Sequence, residues 1–594
     1  MRFFHFWAAA AAAAAAALIA DLSRNQGWTG WPVFAPPGGG PSCSLLAEDD
    51  FVLAGQAVVL PSHPPDLAAP PSPAALVISG GRLAAVIPLS AASAAADLGV
   101  AAAIATGRRH PSPRLRLAPP GAVIAPAGVD AHVHANDPGR AGWEGLESAT
   151  RAAAAGGVGT LVDMPLNSHP SATSAAVLAA KIEAARGRRQ RWWGWLSPLL
   201  PAGRAGGRLT VDVGFWGGLV PSNAADHAEL AAMASAGALG FKAFLCPSGI
   251  PDFPAAALAD VAAALPFLMR AGLPLLVHAE LVEGGGNGTD PPADLAAWEA
   301  SRPPAWEVAA VAGLVAALRD AVSASTAASA SPPYAPGFRV HVAHVGTPAV
   351  LPLLAAAREA GLPISGEAVP HALGGLPYPA GAPAPPRDAL WKCAPPLRGP
   401  AAAAGLWGGL LAGGDAPLTT IGSDHSPAPP ALKSGAPFGA AWGGIAGLQY
   451  TLPAAWTAAA AHAGGSVSPA HLAAWLATHP ADLAGLAGKG RLEAGADADL
   501  VVWAPGEATD TAAPACHQRH PAACPYVGLP LRGRVLETYV RGRLVFERDG
   551  AGGGRFARGA CGEVVGRGAA GGGGGGRHPP RVGDRKSTRL NSSH

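Results

Sequence analysis

GVDAHVHANDPGR, residues 128–140, is the stretch on which the fold and the chemistry of this chain turn. Period-two alternation along a strand places His132 and His134 on the same face, so two imidazoles project side by side from an apolar run. By itself an HxH pair fits hydrogen-bonded core histidines as well as metal ligands, and the decision falls to the rest of the chain.

Seven further apolar runs follow: TLVDMP (160–165), VDVGFWGG (211–218), GFKAFL (240–245), PLLVHAE (274–280), FRVHVAHV (338–345), ISGEAVPHA (364–372) and LTTIGSDHS (418–426). Ala-rich helical stretches separate most of them. Continuous apolar strands alternating with helices predict an α/β fold with a closed parallel sheet covered on its outside. Eight strands are the number of a (β/α)8 TIM barrel. Short strand-like runs before it (QAVVLP, ALVIS, RLAAVIPL) and after it (DADLVVWAP, VLETYVRGRLVF) predict a small β-sandwich domain formed from both chain ends. The expected division is 1–20 as a signal peptide or anchor, 21–42 as a linker, 43–125 as the first part of the β domain, 126–489 as the barrel, 490–550 as the second part of the β domain, and 551–594 as a Gly/Arg-rich disordered tail. Within the barrel, 187–208 reads either as a surface insertion or as a gene-model error such as a retained intron.

The length of 594 residues exceeds one ordinary domain and suits a barrel with a small companion. A net charge of +2 with no basic stripe argues against a nucleic-acid partner. The six cysteines include no CxxC pair, which argues against a zinc knuckle. From Phe3 to Ala20 the chain is apolar almost throughout, the form of a secretory signal or short anchor. That form predicts the secretory pathway, the endoplasmic reticulum first, with membrane contact only through this segment if it is retained. An Ala-rich transit peptide or a poly-Ala artefact is the alternative, leaving the chain in an organelle or the cytoplasm. In an oxidising compartment Cys43 and Cys561, both outside the central barrel, are candidates to pair.

Catalytic groups of a barrel sit at the C-terminal ends of its strands. There this chain carries His132, His134, Lys242, His278, His344 and Asp424. Four imidazoles and a carboxylate form a donor set for a divalent metal such as Zn²⁺. A bare ammonium would be repelled by metals, whereas a lysine carbamylated by CO₂ offers two anionic oxygens that can bridge a pair sharing one activated water. Singly, each residue also reads as a core histidine, a snorkelling lysine or a turn aspartate. The ordered set, on strands one, four, five, six and eight, favours metal.

This set and its surrounding motifs resemble the amidohydrolase superfamily, in its cyclic-amidase branch of dihydroorotases, hydantoinases and allantoinases. Within the branch the similarity is to allantoinases of plant and green-algal type. It rests on HVHANDPGRAGWEG (132–145), TLVDMPLNSHPSAT (160–173), VDVGFWGGLVPSN (211–223), GFKAFLCPSGIPDFP (240–254), WKCAPPLR (391–398), SDHSPAPPALK (423–433) and AWGGIAGLQ (441–449), and extends over about residues 42–562 apart from 187–208. The resemblance implies two Zn²⁺ ions held by His132, His134, Lys242, His278, His344 and Asp424, bridged by N6-carboxylated Lys242 and a hydroxide. It implies ring opening of allantoin, a small-molecule substrate, to allantoate, and a homo-oligomer. Asp424 then takes the proton of the nucleophile and passes it to the leaving ring nitrogen. His344 falls on the sixth-strand ligand position, which leaves His341 structural.

Substrate contacts are expected from Asn136, Asn167, Cys393 and His425. The dihydroorotase branch tends to carry an Arg for a carboxylate where Asn136 stands, and an Asn suits a neutral ureide better. Cys246 is expected to line the mouth without acting as a nucleophile, since no His–Cys pairing is specified. The seventh-strand motif departs from the usual E-T-x-P-H-Y, reading Glu367-Ala368-Val369-Pro370-His371-Ala372. The departure is expected to alter packing or the pocket and to leave the ligands alone. Two other readings stand beside the leading one: another cyclic amidase (a hydantoinase/dihydropyrimidinase or a dihydroorotase), and a non-catalytic scaffold of the same fold.

Overall fold

The computed structural model describes residues 43–46, 50–60, 67, 70–89, 114–187, 209–282, 291–328, 332–374, 388–414, 416–549 and 553–567. The expected signal segment 1–20, the linker 21–42 and all but the first residue of 187–208 lie outside them.

Five strands open the chain: β1 (Phe51–Val58), β2 (Ser72–Ser79), β3 (Arg82–Pro88), β4 (Arg114–Leu117) and β5 (Val123–Pro126). The next eight are β6 (Gly128–Val133), β7 (Val158–Asp163), β8 (Asp212–Gly218), β9 (Ala238–Phe244), β10 (Leu275–His278), β11 (Val340–Val342), β12 (Ile364–Ala368) and β13 (Leu418–Ile421). They pair in sequence order, each parallel to the next. Closure comes just past β13, where Val133 bridges His425 in parallel and the His134 N–H donates to the His425 carbonyl at 2.8 Å. The result is the predicted (β/α)8 barrel.

A helix occupies every crossover: α1 (Leu146–Ala155), α2 (Ala175–Ala185), α3 (His227–Ala236), α4 (Leu258–Ala271), α5 (Pro304–Ala328), α6 (Leu351–Glu359) and α7 (Pro400–Leu410). Local chemistry sets their limits. The Ser174 and Asp226 side chains cap α2 and α3 by accepting the first free N–H groups, and α4 stops at Gly272 in the left-handed conformation, φ 66°. Strand residues such as Val133, Leu161, Val213, Phe241 and Val277 pack against Leu178, Leu265, Leu314 and Leu354 of the helices in one continuous core.

Four strands follow the barrel: β14 (Leu500–Ala508), β15 (Arg532–Val540), β16 (Arg543–Arg548) and β17 (Gly554–Phe556). With β1–β5 they make one nine-stranded sheet in which β5 joins the two chain ends, parallel to β1 and antiparallel to β14. The sheet curls on itself, so that Phe51 of β1 meets Tyr539 of β15 across its interior with ring centroids 5.7 Å apart. Leu53, Ile78, Ile124, Leu500 and Leu544 fill that interior.

The tail expected from residue 551 is corrected over 553–567. Phe556 packs on Phe546 (5.1 Å) and under the Arg151 guanidinium (4.3 Å), Cys561 is buried, and Val564 bridges Val213 of β8. These few apolar side chains anchor a strap that its Gly/Arg composition conceals.

One ionic knot ties barrel to β domain. The Lys489 ammonium, 4% exposed, lies 2.7 Å from Asp212, 2.7 Å from Asp499 and 3.1 Å from Asp497, and Asp212 also pairs with Arg541. Replacing Lys489 by Met strands buried carboxylates without their shared cation, and we expect a loss of about 3–5 kcal/mol. Equilibrium urea unfolding, followed by tryptophan fluorescence, measures it as an earlier midpoint than wild type.

Candidate metal centre and active site

Asp130, His132 and His134 alternate onto one face of β6 and are all buried. Asp130 Oδ1 accepts the backbone N–H groups of His132 and Ser423, both at 3.1 Å, which stitches β6 to the segment after β13. That stitch brings Asp424 to the two histidines: its Oδ1 lies 3.2 Å from His132 Nε2 and 3.7 Å from His134 Nε2. These three form a cluster able to hold a cation. The His344 ring stands 5.2 Å from His132 and 4.5 Å from His278 between centroids, so all four histidines share one mouth. Lys242, fully buried on β9, points its amine into the same group, 5.1 Å from the Phe244 ring centre.

Three of the donor atoms are presented without a partner. His132 Nε2, His344 Nδ1 and Lys242 Nζ are buried with no hydrogen bond among the described residues. Burial, reinforced by neighbouring positive charge, holds His132, His134 and His344 well below the usual imidazole range, so they stand neutral with lone pairs available. Burial also depresses Lys242, against the attraction of Asp424 and Glu367, and raises Asp424, against the pull of Lys242. Buried lone pairs left unmade are costly in apolar surroundings, and a divalent cation is the group that satisfies them together. The residues present fit a divalent metal.

Backbone strain marks the same place. The non-glycine residues at positive φ are Asn136 (62°), Asn167 (69°), His344 (35°), Asp424 (43°) and Arg541 (47°) among the described residues. All but Arg541 belong to the mouth, the distribution expected where geometry is held against local preference.

Several supporting residues escaped the sequence reading. Glu367, in the divergent seventh-strand motif, accepts the His132 Nδ1–H at 2.6 Å and the His344 backbone N–H at 3.1 Å through the same oxygen. It fixes the His132 tautomer and aims Nε2 at Asp424. Glu367 is the position at which this motif keeps the usual pattern, and its departures are at Ala368 and Ala372. Glu280 lies 2.6 Å from His278 Nε2 and is gripped by Arg302 at 3.0 and 2.5 Å. Cys246 stands beside His278 and Glu280, the three offering atoms within 4.8 Å of one another, a His–Cys proximity that the sequence left unspecified. Burial works against a charge on His278, yet Cys246 and Glu280 hold it up at about 9. Asp163 accepts the Ala135 N–H at 2.8 Å and pairs with buried Lys181 at 2.8 Å. A lone acid or lysine on an apolar strand or helix was the available signal for each.

The expected substrate contacts divide. Asn136 Nδ2 donates to the Pro427 carbonyl at 3.2 Å and Oδ1 has no partner among the described residues, while Asn167 Nδ2 donates to Ser426 Oγ at 3.3 Å. Both stand at the mouth. Arg140, whose role the sequence left open, donates to the Asn167 carbonyl at 3.0 Å. His425 is fully buried: its Nδ1 accepts the Gly447 and Leu448 N–H groups at 3.2 and 3.4 Å, and its Nε2 stands 3.4 Å from Glu144 with no hydrogen bond among the described residues. The Cys393 thiol donates to the Pro395 carbonyl at 3.3 Å inside an apolar cluster with Trp391 and Tyr526, and burial pushes it up to about 12. His341 is bonded at both nitrogens, to Ser365 at 2.7 Å and Thr420 at 3.1 Å, below the mouth.

Comparison with known proteins agrees with this geometry. A model of the amidohydrolase family matches residues 413–545. A probable allantoinase of Oryza sativa subsp. japonica is 37% identical over 540 residues, 89% of this chain and 93% of that protein. The allantoinase of Arabidopsis thaliana is 39% identical over 453 residues, 75% of this chain and 80% of that protein. Among solved structures, the L-hydantoinase (dihydropyrimidinase) from Arthrobacter aurescens shares the fold with a TM-score of 0.68 at 26% identity, over 87% of this chain and 100% of that one.

Glu367→Gln removes the charge that orients His132 while keeping the side chain's size. We expect divalent-metal affinity to fall about 10–100-fold with unchanged circular dichroism, as read by chelator competition.

Proposed function

The chain belongs to the allantoinase family of the amidohydrolase superfamily, and from that premise we propose that it hydrolyses the hydantoin-ring amide of allantoin to give allantoate. The observation that carries the reading is the mouth itself: His132, His134 and His344 kept neutral by burial, a buried amine without a hydrogen bond among the described residues, and Asp424 within 3.2 Å of His132. His132, His134, Lys242, His278, His344 and Asp424 are proposed to hold two Zn²⁺ ions. Imidazole and carboxylate donors without thiolate suit that metal. The chemistry a bound metal pair supplies is Lewis acidity toward the amide carbonyl and a hydroxide nucleophile at neutral pH.

Lys242 is proposed to be N6-carboxylated. Its buried amine, depressed by desolvation, is neutral enough to attack CO₂. The new N–C bond forms as the amine loses a proton, and the carbamate supplies two oxygens where an ammonium would repel cations.

The remaining work belongs to the chain. Asp424 accepts the proton of the attacking water as its oxygen adds to the ring carbonyl carbon. When the carbon–nitrogen bond breaks, Asp424 returns that proton to the leaving ring nitrogen. Burial raises the Asp424 carboxyl toward the operating pH, as such a shuttle requires. Glu367 and Glu280 keep His132 and His278 in position throughout. Asn136 Oδ1, an unfilled acceptor, is suited to an N–H of a neutral ureide, which favours allantoin over a carboxylated ring such as dihydroorotate. Secretory localisation through residues 1–20 and homo-oligomeric assembly belong to the same proposal and rest on the leader-like sequence and the family resemblance.

The test is purified protein supplied with Zn²⁺ and bicarbonate and offered allantoin, dihydroorotate and dihydrouracil. We expect turnover of allantoin, and turnover of the other two alone would overturn the assignment. Asp424→Asn should lower kcat on allantoin by about 10²–10⁴-fold.

A further inference from the structure

The two ends of the described chain meet at a pair of thiols. Cys43 and Cys561 are hydrogen-bonded to each other through their side chains. Cys561 is 1% exposed and Cys43 half-buried. The approach is close on the backbone side as well: a Cβ on Gly559 would fall 2.8–2.9 Å from the Cys43 backbone and Cβ, so only glycine fits opposite Cys43.

Both partners are held independently of each other. The Leu45 N–H donates to the Leu544 carbonyl at 2.9 Å, and Leu45 and Leu46 pack on the β-domain interior. On the other side β17 pairs with β16, Arg541 donates to the Cys561 carbonyl at 2.6 Å, the Gly562 N–H donates to Leu209, and Arg567 donates to the Leu239 and Gly272 carbonyls at 2.8 and 2.9 Å. The strap thus runs from the β domain onto the barrel beside β8 and β9, and the sulfurs are brought together by anchors that do not involve them. A disulfide needs such proximity before it forms, since a pair held apart must distort the backbone to join.

We propose that Cys43 and Cys561 form a disulfide that latches the N-terminal segment to the C-terminal strap. The oxidant is a low-molecular-weight disulfide such as oxidised glutathione. The more accessible Cys43 thiolate attacks one of its sulfurs, releasing one glutathione thiol and forming a mixed disulfide. The Cys561 thiolate then attacks the Cys43 sulfur, forming the intramolecular bond and releasing the second glutathione. Two protein thiols lose two electrons and two protons, and one oxidised glutathione becomes two thiols. The bond closes a loop of nearly the whole chain, the case in which cross-linking restricts the unfolded ensemble most. It lies in the β domain, away from the metal mouth, so the proposal does not depend on the catalytic reading.

The full chain is equilibrated with oxidised glutathione under native conditions, quenched with an alkylating agent, and digested without reductant. The expected result is a linked Cys43–Cys561 peptide, together with a higher melting temperature for the oxidised than for the reduced protein. Cys43→Ser should lose both the peptide and the response of the melting temperature to reductant. Alkylation of both cysteines as separate peptides, or a glutathione adduct on Cys43 with Cys561 alkylated, overturns the proposal. So does a linked peptide that forms only after denaturation. Any Cys516–Cys524 linkage appears in its own peptide and does not confuse the result.

Discussion

The catalytic end of the barrel depends on one buried carboxylate oxygen. Glu367 Oε1 receives the His132 ring N–H from β6 and the His344 backbone N–H from the end of β11. β12 therefore sets the ring orientation on a strand it does not pair with, and the position of a donor that follows its neighbour. Gly422 makes this possible, because a Cβ there would sit 2.5 Å from the other Glu367 oxygen. The arrangement is stable only when the donors it aims are satisfied by a ligand, since buried polar groups left unmade cost free energy. Preorganisation and metal demand are thus two aspects of one constraint.

The strain at the mouth follows from that constraint. Asp424 and His344 are held at φ 43° and 35°, where non-glycine residues are uncommon. Asp130, taking the N–H groups of His132 and Ser423, and Glu367, taking that of His344, supply the bonds that offset it. The ligands are inherited from strand ends. Their final directions are imposed by acids one layer below.

Those two layers were unequally legible in the sequence. Strand order points to His132, Lys242 and His278 on their strands and to His134, His344 and Asp424 just past the ends of β6, β11 and β13. Glu280 meets His278 two residues away, whereas Glu367 acts across the sheet, and nothing in local spacing says which histidine a distant acid will meet. The strap at 553–567 was hidden for a different reason. Its composition is that of a disordered segment, and its order rests on Phe556, Cys561 and Val564 finding pockets made by residues far away in sequence.

The β domain has a part in the site through His425. The long connection between β14 and β15 reaches back to the barrel, where the Arg519 backbone N–H donates to Glu144 at 3.2 Å and the Arg519 side chain to the Glu144 carbonyl at 2.6 Å. Glu144 in turn faces His425, whose Nδ1 receives the Gly447 and Leu448 N–H groups. Gln518 and Cys524 brace the same turn through the Ala446 carbonyl, at 3.4 and 3.1 Å. His425 is covalently next to Asp424, so this bracing fixes the backbone from which the proton-transfer group projects. A barrel folded without its β domain would retain every ligand and lose the support behind Asp424. The pairing of the two chain ends therefore bears on catalysis as well as on stability.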